Sequence, residues 1–116
     1  MTSYIRLNPA STTSSPGASM FDSLEPGVSV SSAVCDQYGN IMSVEMVLSI
    51  PSIPAHTRIK PLGQLKTGYR PASAVPFGNA HIHGMLFSDG RIYVTNSMDA
   101  AVSAGFERFG AIYIRA

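Results

Sequence analysis

From Val28 to Ile50 the chain keeps a strict period of two, and few folds accept that. Val28, Val30, Ser32 and Val34 alternate with Ser29, Ser31, Ala33 and Cys35. After Asp36-Gln37-Tyr38-Gly39-Asn40, a run of turn residues, Met42, Val44, Met46, Leu48 and Ile50 occupy one face of a return strand. Ser43, Glu45 and Ser49 occupy the other, and Pro51 and Pro54 end the run because proline cannot donate to a ladder. The pattern predicts a β-hairpin with one buried face.

The rest of the chain repeats this theme in shorter pieces. Residues 57–65 carry Ile59 and Leu62 but are interrupted by Pro61 and Gly63, which predicts an edge strand. Ala80, Ile82, Gly84 and Leu86 share one strand face, and His81, His83, Met85 and Phe87 share the other. Ser88-Asp89-Gly90-Arg91 reads as a hairpin turn leading into Ile92-Tyr93-Val94-Thr95. Residues 96–105 read as one or two helical turns capped by Asn96 or Ser97, or as a surface loop, before a last strand through residues 111–114. Six or seven short strands at intervals of roughly ten residues predict an all-β fold, a jelly-roll-like or Greek-key β-sandwich or barrel. Residues 1–26 differ in composition, with a run of Ser, Thr, Pro and Gly after Tyr4, Ile5 and Leu7. They read as an arm or linker, and residues 27–116 as one domain.

Composition narrows function. Eight basic against seven acidic residues argue against a nucleic-acid binder built on phosphate neutralisation. A single cysteine, Cys35, gives no internal disulfide and no multi-cysteine zinc site, and its place in a β run predicts a buried thiol. No stretch reaches the roughly 20 apolar residues that span a bilayer. The opening Met1-Thr2-Ser3-Tyr4-Ile5-Arg6 lacks the charged-then-apolar order of a secretory signal, so the expectation is synthesis in the cytoplasm without membrane insertion. The low charged fraction, 13%, suits a surface partly covered by another subunit.

Gly63-Gln64-Leu65-Lys66-Thr67-Gly68-Tyr69-Arg70-Pro71 precedes Val75-Pro76, then an Asp89-Gly90-Arg91-Ile92-Tyr93-Val94 hairpin return and a closing Gly110-Ala111-Ile112-Tyr113-Ile114. Over about residues 28–116 this resembles the head domain of tail-tip receptor-binding proteins of siphophages that infect Gram-positive bacteria. The sequence departs from that pattern in carrying Lys66-Thr67 where a proline is usual before Gly-Tyr-Arg-Pro. The shoulder and triple-helical neck that often precede such heads are missing from these 116 residues, which leaves open a head alone or an unusually short protein. The resemblance implies a non-catalytic homotrimeric head that binds host cell-wall saccharide, sits in the virion tail tip or baseplate, and contacts other baseplate proteins. Phe77, Met85 and Phe87 are then candidates for a subunit interface or for the chain's own core.

Reading sugar hydroxyls takes planar donors and acceptors, and covering a sugar's C–H patch takes an aromatic face. With Trp absent, the candidates near strand and loop ends are His81, His83, Asp89, Arg91, Tyr93, Asn96, Asp99 and Arg108. Tyr69 and Arg70 read as structural, with Arg70 pairing an acid such as Glu107. His81 and His83 project from one face and could chelate. A cupin-type site also needs a nearby carboxylate and a third histidine further on, whereas Asp89 is too distant and His56 lies upstream. The expectation is therefore no metal and no cofactor. Catalytic signatures are weak: there is no Gly-x-Ser-x-Gly elbow, no phosphate-binding glycine loop and no evident carboxylate pair. The alternatives are a structural tail or capsid decoration domain without ligand and, less favoured, a cupin-like metal enzyme.

Overall fold

The computed structural model describes residues 11–79 and 82–116, in nine strands and one 3-10 turn. The strands are β1 (Ser11–Ser14), β2 (Phe21–Leu24), β3 (Ser29–Tyr38), β4 (Ile41–Ile50), β5 (Thr57–Leu65), β6 (Val75–Gly78), β7 (His83–Leu86), β8 (Arg91–Asn96) and β9 (Gly105–Ile114). They form one antiparallel sheet in the order β1-β3-β4-β9-β6-β7-β8-β5-β2, curled into a half-barrel. The fold is all-β, as the alternation predicts. The sheet's two edges are consecutive in sequence, and the chain passes between them through the turn Gly17–Met20, with Met20 fully buried.

Residues 11–26 are therefore not an arm. Hydroxyl-rich β1 pairs along the last four residues of β3, and β2 pairs with β5. Met20 and Phe21 supply apolar groups that the core takes up, so composition alone misplaces this segment. The run 57–65 is not an edge either, because β2 covers β5 on its far side. Pro61 is accommodated there by a register shift between Pro61 and Gly63.

β3 holds an irregularity that reverses its phase. Val30 opposes Leu48 and Ser32 opposes Val47, which leaves Ser31 as the extra residue of a bulge. Val28 and Val30 point inward before it, and Ala33 and Cys35 after it, so Val34 turns to the outer surface. β4 keeps its register, and Met42, Val44, Met46, Leu48 and Ile50 are all buried. Phe77 and Phe109 stack in the core with ring centroids 5.1 Å apart, which places Phe77 in the chain's own interior. Met85 and Phe87 lie on the outer face instead.

The Gly-Tyr-Arg-Pro segment and the Asp-Gly hairpin, twenty residues apart, form one structural unit. The Arg70 Nε donates to the Leu65 carbonyl at 2.8 Å and its Nη2 to Asp22 at 2.9 Å. Gly90, at φ +89°, presses so close that a Cβ would stand 2.5 Å from the Leu65 oxygen and 2.8 Å from the Arg70 Nε. The partner of Arg70 is thus Asp22 and not Glu107, which accepts instead from the Asn79 amide. The strap is anchored to the end of β9 by Ala72 N–H to the Ile114 carbonyl, by Ala116 N–H to the Arg70 carbonyl, and by the Tyr113 hydroxyl donating to the Tyr69 carbonyl. Burial pushes the Tyr113 phenol well above its ordinary pKa, with the field of the neighbouring Cys35 adding to the effect.

Candidate functional site

The outer face of β2-β5-β8-β7 brings together three of the candidates read from sequence, His83, Arg91 and Tyr93. Alternation along β8 sends Ile92 and Val94 inward and Arg91, Tyr93 and Thr95 outward. The antiparallel register then sets neighbours beside each. Arg91 opposes Gln64, which in turn opposes Ser23; Tyr93 lies between Pro61 and Met85; Thr95 opposes His83. Tyr93 stands at the centre, between two hollows.

The first hollow, about 220 Å³, is polar and is lined by Ser23, Glu25, Gln64, Arg91 and Tyr93. The second, about 380 Å³, is lined by Ile59, His83, Met85, Phe87, Tyr93 and Thr95. The Phe87 and Tyr93 rings meet edge-on with centroids 5.5 Å apart, and Ile59 is 63% exposed beside them. A pyranose placed over this pair would cover its apolar face, while Arg91, Gln64 and Glu25 offer donors and acceptors to its hydroxyls.

The candidates read from sequence divide accordingly. His83, Arg91 and Tyr93 come together on this face. Asp89 lies at its rim and serves the turn: its carboxylate accepts from the Arg91 N–H at 3.0 Å and sits 3.5 Å from the guanidinium, while its carbonyl accepts from Gln64. Asn96 has a different role. It is 1% exposed, and its amide donates to the carbonyls of Ile53, Pro54 and Ala100 and accepts from Met98 N–H. That stitches residues 51–56 to residues 97–102, which carry no helical turn. Asp99 is on this loop, 2.9 Å from His56, whose backbone takes a left-handed φ of +57°. Arg108 faces outward from β9, paired with Glu45. His81 lies outside the described residues. Among the described residues no group of three His, Cys, Asp or Glu side chains converges on a metal-sized site.

Ser23, Glu25 and Gln64 escaped the sequence reading. Gln64 was recoverable, since it alternates with Leu65 and must face out where that leucine faces in. Ser23 and Glu25 were not, because nothing local reveals that the segment before Pro26 joins the sheet. No protein-family model matches the chain, and no curated relative is found for it.

Proposed function

We propose that this chain is a receptor-binding head of a phage tail tip, a non-catalytic module that holds host cell-wall saccharide. The observation that carries the reading is the face around Tyr93, where an edge-on aromatic pair adjoins a polar hollow containing Arg91, Gln64 and Glu25. The unit formed by the Gly-Tyr-Arg-Pro strap and the Asp-Gly hairpin supports it by giving the sequence resemblance a physical basis, since each part packs against the other.

A homotrimer belongs to this reading. Tyr38, Ile41 and Ile114 form one row across β3, β4 and β9, with Ile112, 71% exposed, in the next. Such a patch gains stability when covered by another copy. Single sites on so open a surface bind weakly, and repetition across a trimer and a baseplate makes adsorption firm.

Calorimetry with cell-wall saccharide fragments at millimolar concentration tests the reading. Binding should be measurable and should be lost in Tyr93→Ala and Arg91→Ala. The structural alternative, a tail or decoration domain, predicts no heat with any fragment and unchanged phage adsorption for both variants. Light scattering reports the second element: a mass near three chains supports the trimer, and a monomer removes it.

A further inference from the structure

Among the described residues, nothing in the fold requires position 110 to be glycine. Inside a strand, glycine answers to a positive φ, a bulge, or a close approach of other atoms, and it costs about 0.5–1 kcal/mol relative to alanine. Gly110 is not among the positive-φ residues. The β4–β9 register runs through ten consecutive pairs without a shift, so there is no bulge. Among the described residues other than its chain neighbours, a Cβ at Gly110 would come no nearer than 3.4 Å to any atom, the Val44 oxygen. Its neighbours on the next strands differ: a Cβ at Gly78 would stand 2.5 Å from the Ile82 oxygen, and one at Gly84 would stand 2.1 Å from the Tyr93 oxygen. Those two glycines are demanded by packing. Gly110 is bare on the outside only.

Outside it lies a trough. The row Glu45–Gly110–Gly78–His83 crosses β4, β9, β6 and β7. Its three strand steps span about 14 Å. One flank is a hollow of about 340 Å³ over Gly78, Gly110 and His83, and the other a hollow of about 250 Å³ containing Asp36, Ser43, Glu45 and Arg108. The one guanidinium is already paired with Glu45, so the two carboxylates leave the trough acidic. A phosphate-bearing polymer is repelled there, while hydroxyls find donors and acceptors on both walls. The walls set Asp36, Glu45, His83 and Arg108 beside the apolar Pro76, a mixture that suits the hydroxyl edge and C–H face of a sugar, unlike the wholly apolar Ile112 and Ile114 patch further along β9.

We infer that a neutral oligosaccharide lies across Gly110, with Glu45, Arg108 and His83 reading its hydroxyls, an inference that rests on the saccharide reading above and extends the site beyond Tyr93. The test titrates a panel of neutral tetrasaccharides, and in parallel a glycerol phosphate polymer, into wild type, Gly110→Leu and Tyr93→Ala. Expected is a thermal midpoint for Gly110→Leu at or above wild type, an unchanged solution mass, and affinity for the neutral ligand weakened about tenfold or more. If the leucine variant fails to fold, Gly110→Ala, whose Cβ has room, carries the same comparison. Unchanged affinity in the glycine variant alongside loss in Tyr93→Ala overturns the trough alone. A fall in oligomeric mass assigns Gly110 to a contact between copies, and preference for the phosphate polymer removes the neutral-ligand assignment. No binding by wild type to either probe overturns this inference together with the receptor reading.

Discussion

The two halves of the sheet obtain order by different means. In β3-β4-β9 the strands are ten residues long, and β4 pairs with β9 along its whole length without a slip. In β6-β7-β8-β5-β2 the strands run from four to nine residues, and β5 breaks register with both neighbours. The regular half is held by its ladder and by alternating side chains. The irregular half is held by particular polar groups, Arg70 and Asn96 above all, placed where the ladder stops. The outward chemistry around Tyr93 sits on the irregular half, where short strands and register shifts border both of its hollows.

The sharpest way to break this comparison is at the seam. Among the described residues one register pair, Gly78 with Gly110, joins β9 to β6, and beneath it Phe77 stacks on Phe109. Phe109→Ala should cost about 4 kcal/mol, the largest of the expected losses, read as a lowered urea midpoint. If the halves depended little on each other, the loss would be much smaller.

Next in size is Asn96→Ala. Three carbonyls lose their donor inside a closed loop pair, at a cost of about 3 kcal/mol. The matched control is Thr13→Ala on β1, the edge strand that extends the ladder beyond β3, which removes an exposed hydroxyl bond to Asp36 and should change stability by less than about 0.5 kcal/mol. Comparable losses in the two variants would erase the distinction between ladder and hub.

This contrast also explains what was legible in the sequence. Met42 to Ile50 could be assigned to one face because β4 itself carries no extra residue and pairs with β9 without a shift, and alternation is then a sufficient description. It failed where one residue is spent on a bulge: Ser31 moves Val34 outward, though period two alone would group it with Val28 and Val30. Asn96 reads as a cap because its type favours caps, whereas its burial depends on carbonyls more than forty residues away. On the candidate face, Arg91 and Tyr93 follow from the hairpin, but their polar neighbours Ser23 and Gln64 come from β2 and β5, a pairing that no local signal announces.

Arg70→Lys probes the strap with a smaller effect. Lysine keeps the charge but cannot serve the Leu65 carbonyl and Asp22 at once from a rigid fork, so a loss of about 1–2 kcal/mol is expected. Asp22→Asn should cost less, since the carbonyl bond survives. An equal loss for both would mean that the ion pair, and not the fork, holds the strap against Gly90.

Tyr113→Phe has a small effect at neutral pH, and its value lies in how that effect changes with pH. The hydroxyl bond to the Tyr69 carbonyl contributes about 1 kcal/mol. Because burial raises the phenol's pKa in the folded chain, the folded state retains a proton that the unfolded state has lost once the pH passes about 10. Stability is then complete below that pH and falls above it, by at most about 1.4 kcal/mol per unit from this group. The phenylalanine variant lacks this slope, so it starts slightly less stable than wild type and overtakes it in alkali. Urea midpoints measured from pH 7 to 11 should show the two curves converging and then crossing. Parallel curves would mean that the phenol ionises in place, and that the strap does not seal this end of the half-barrel against water.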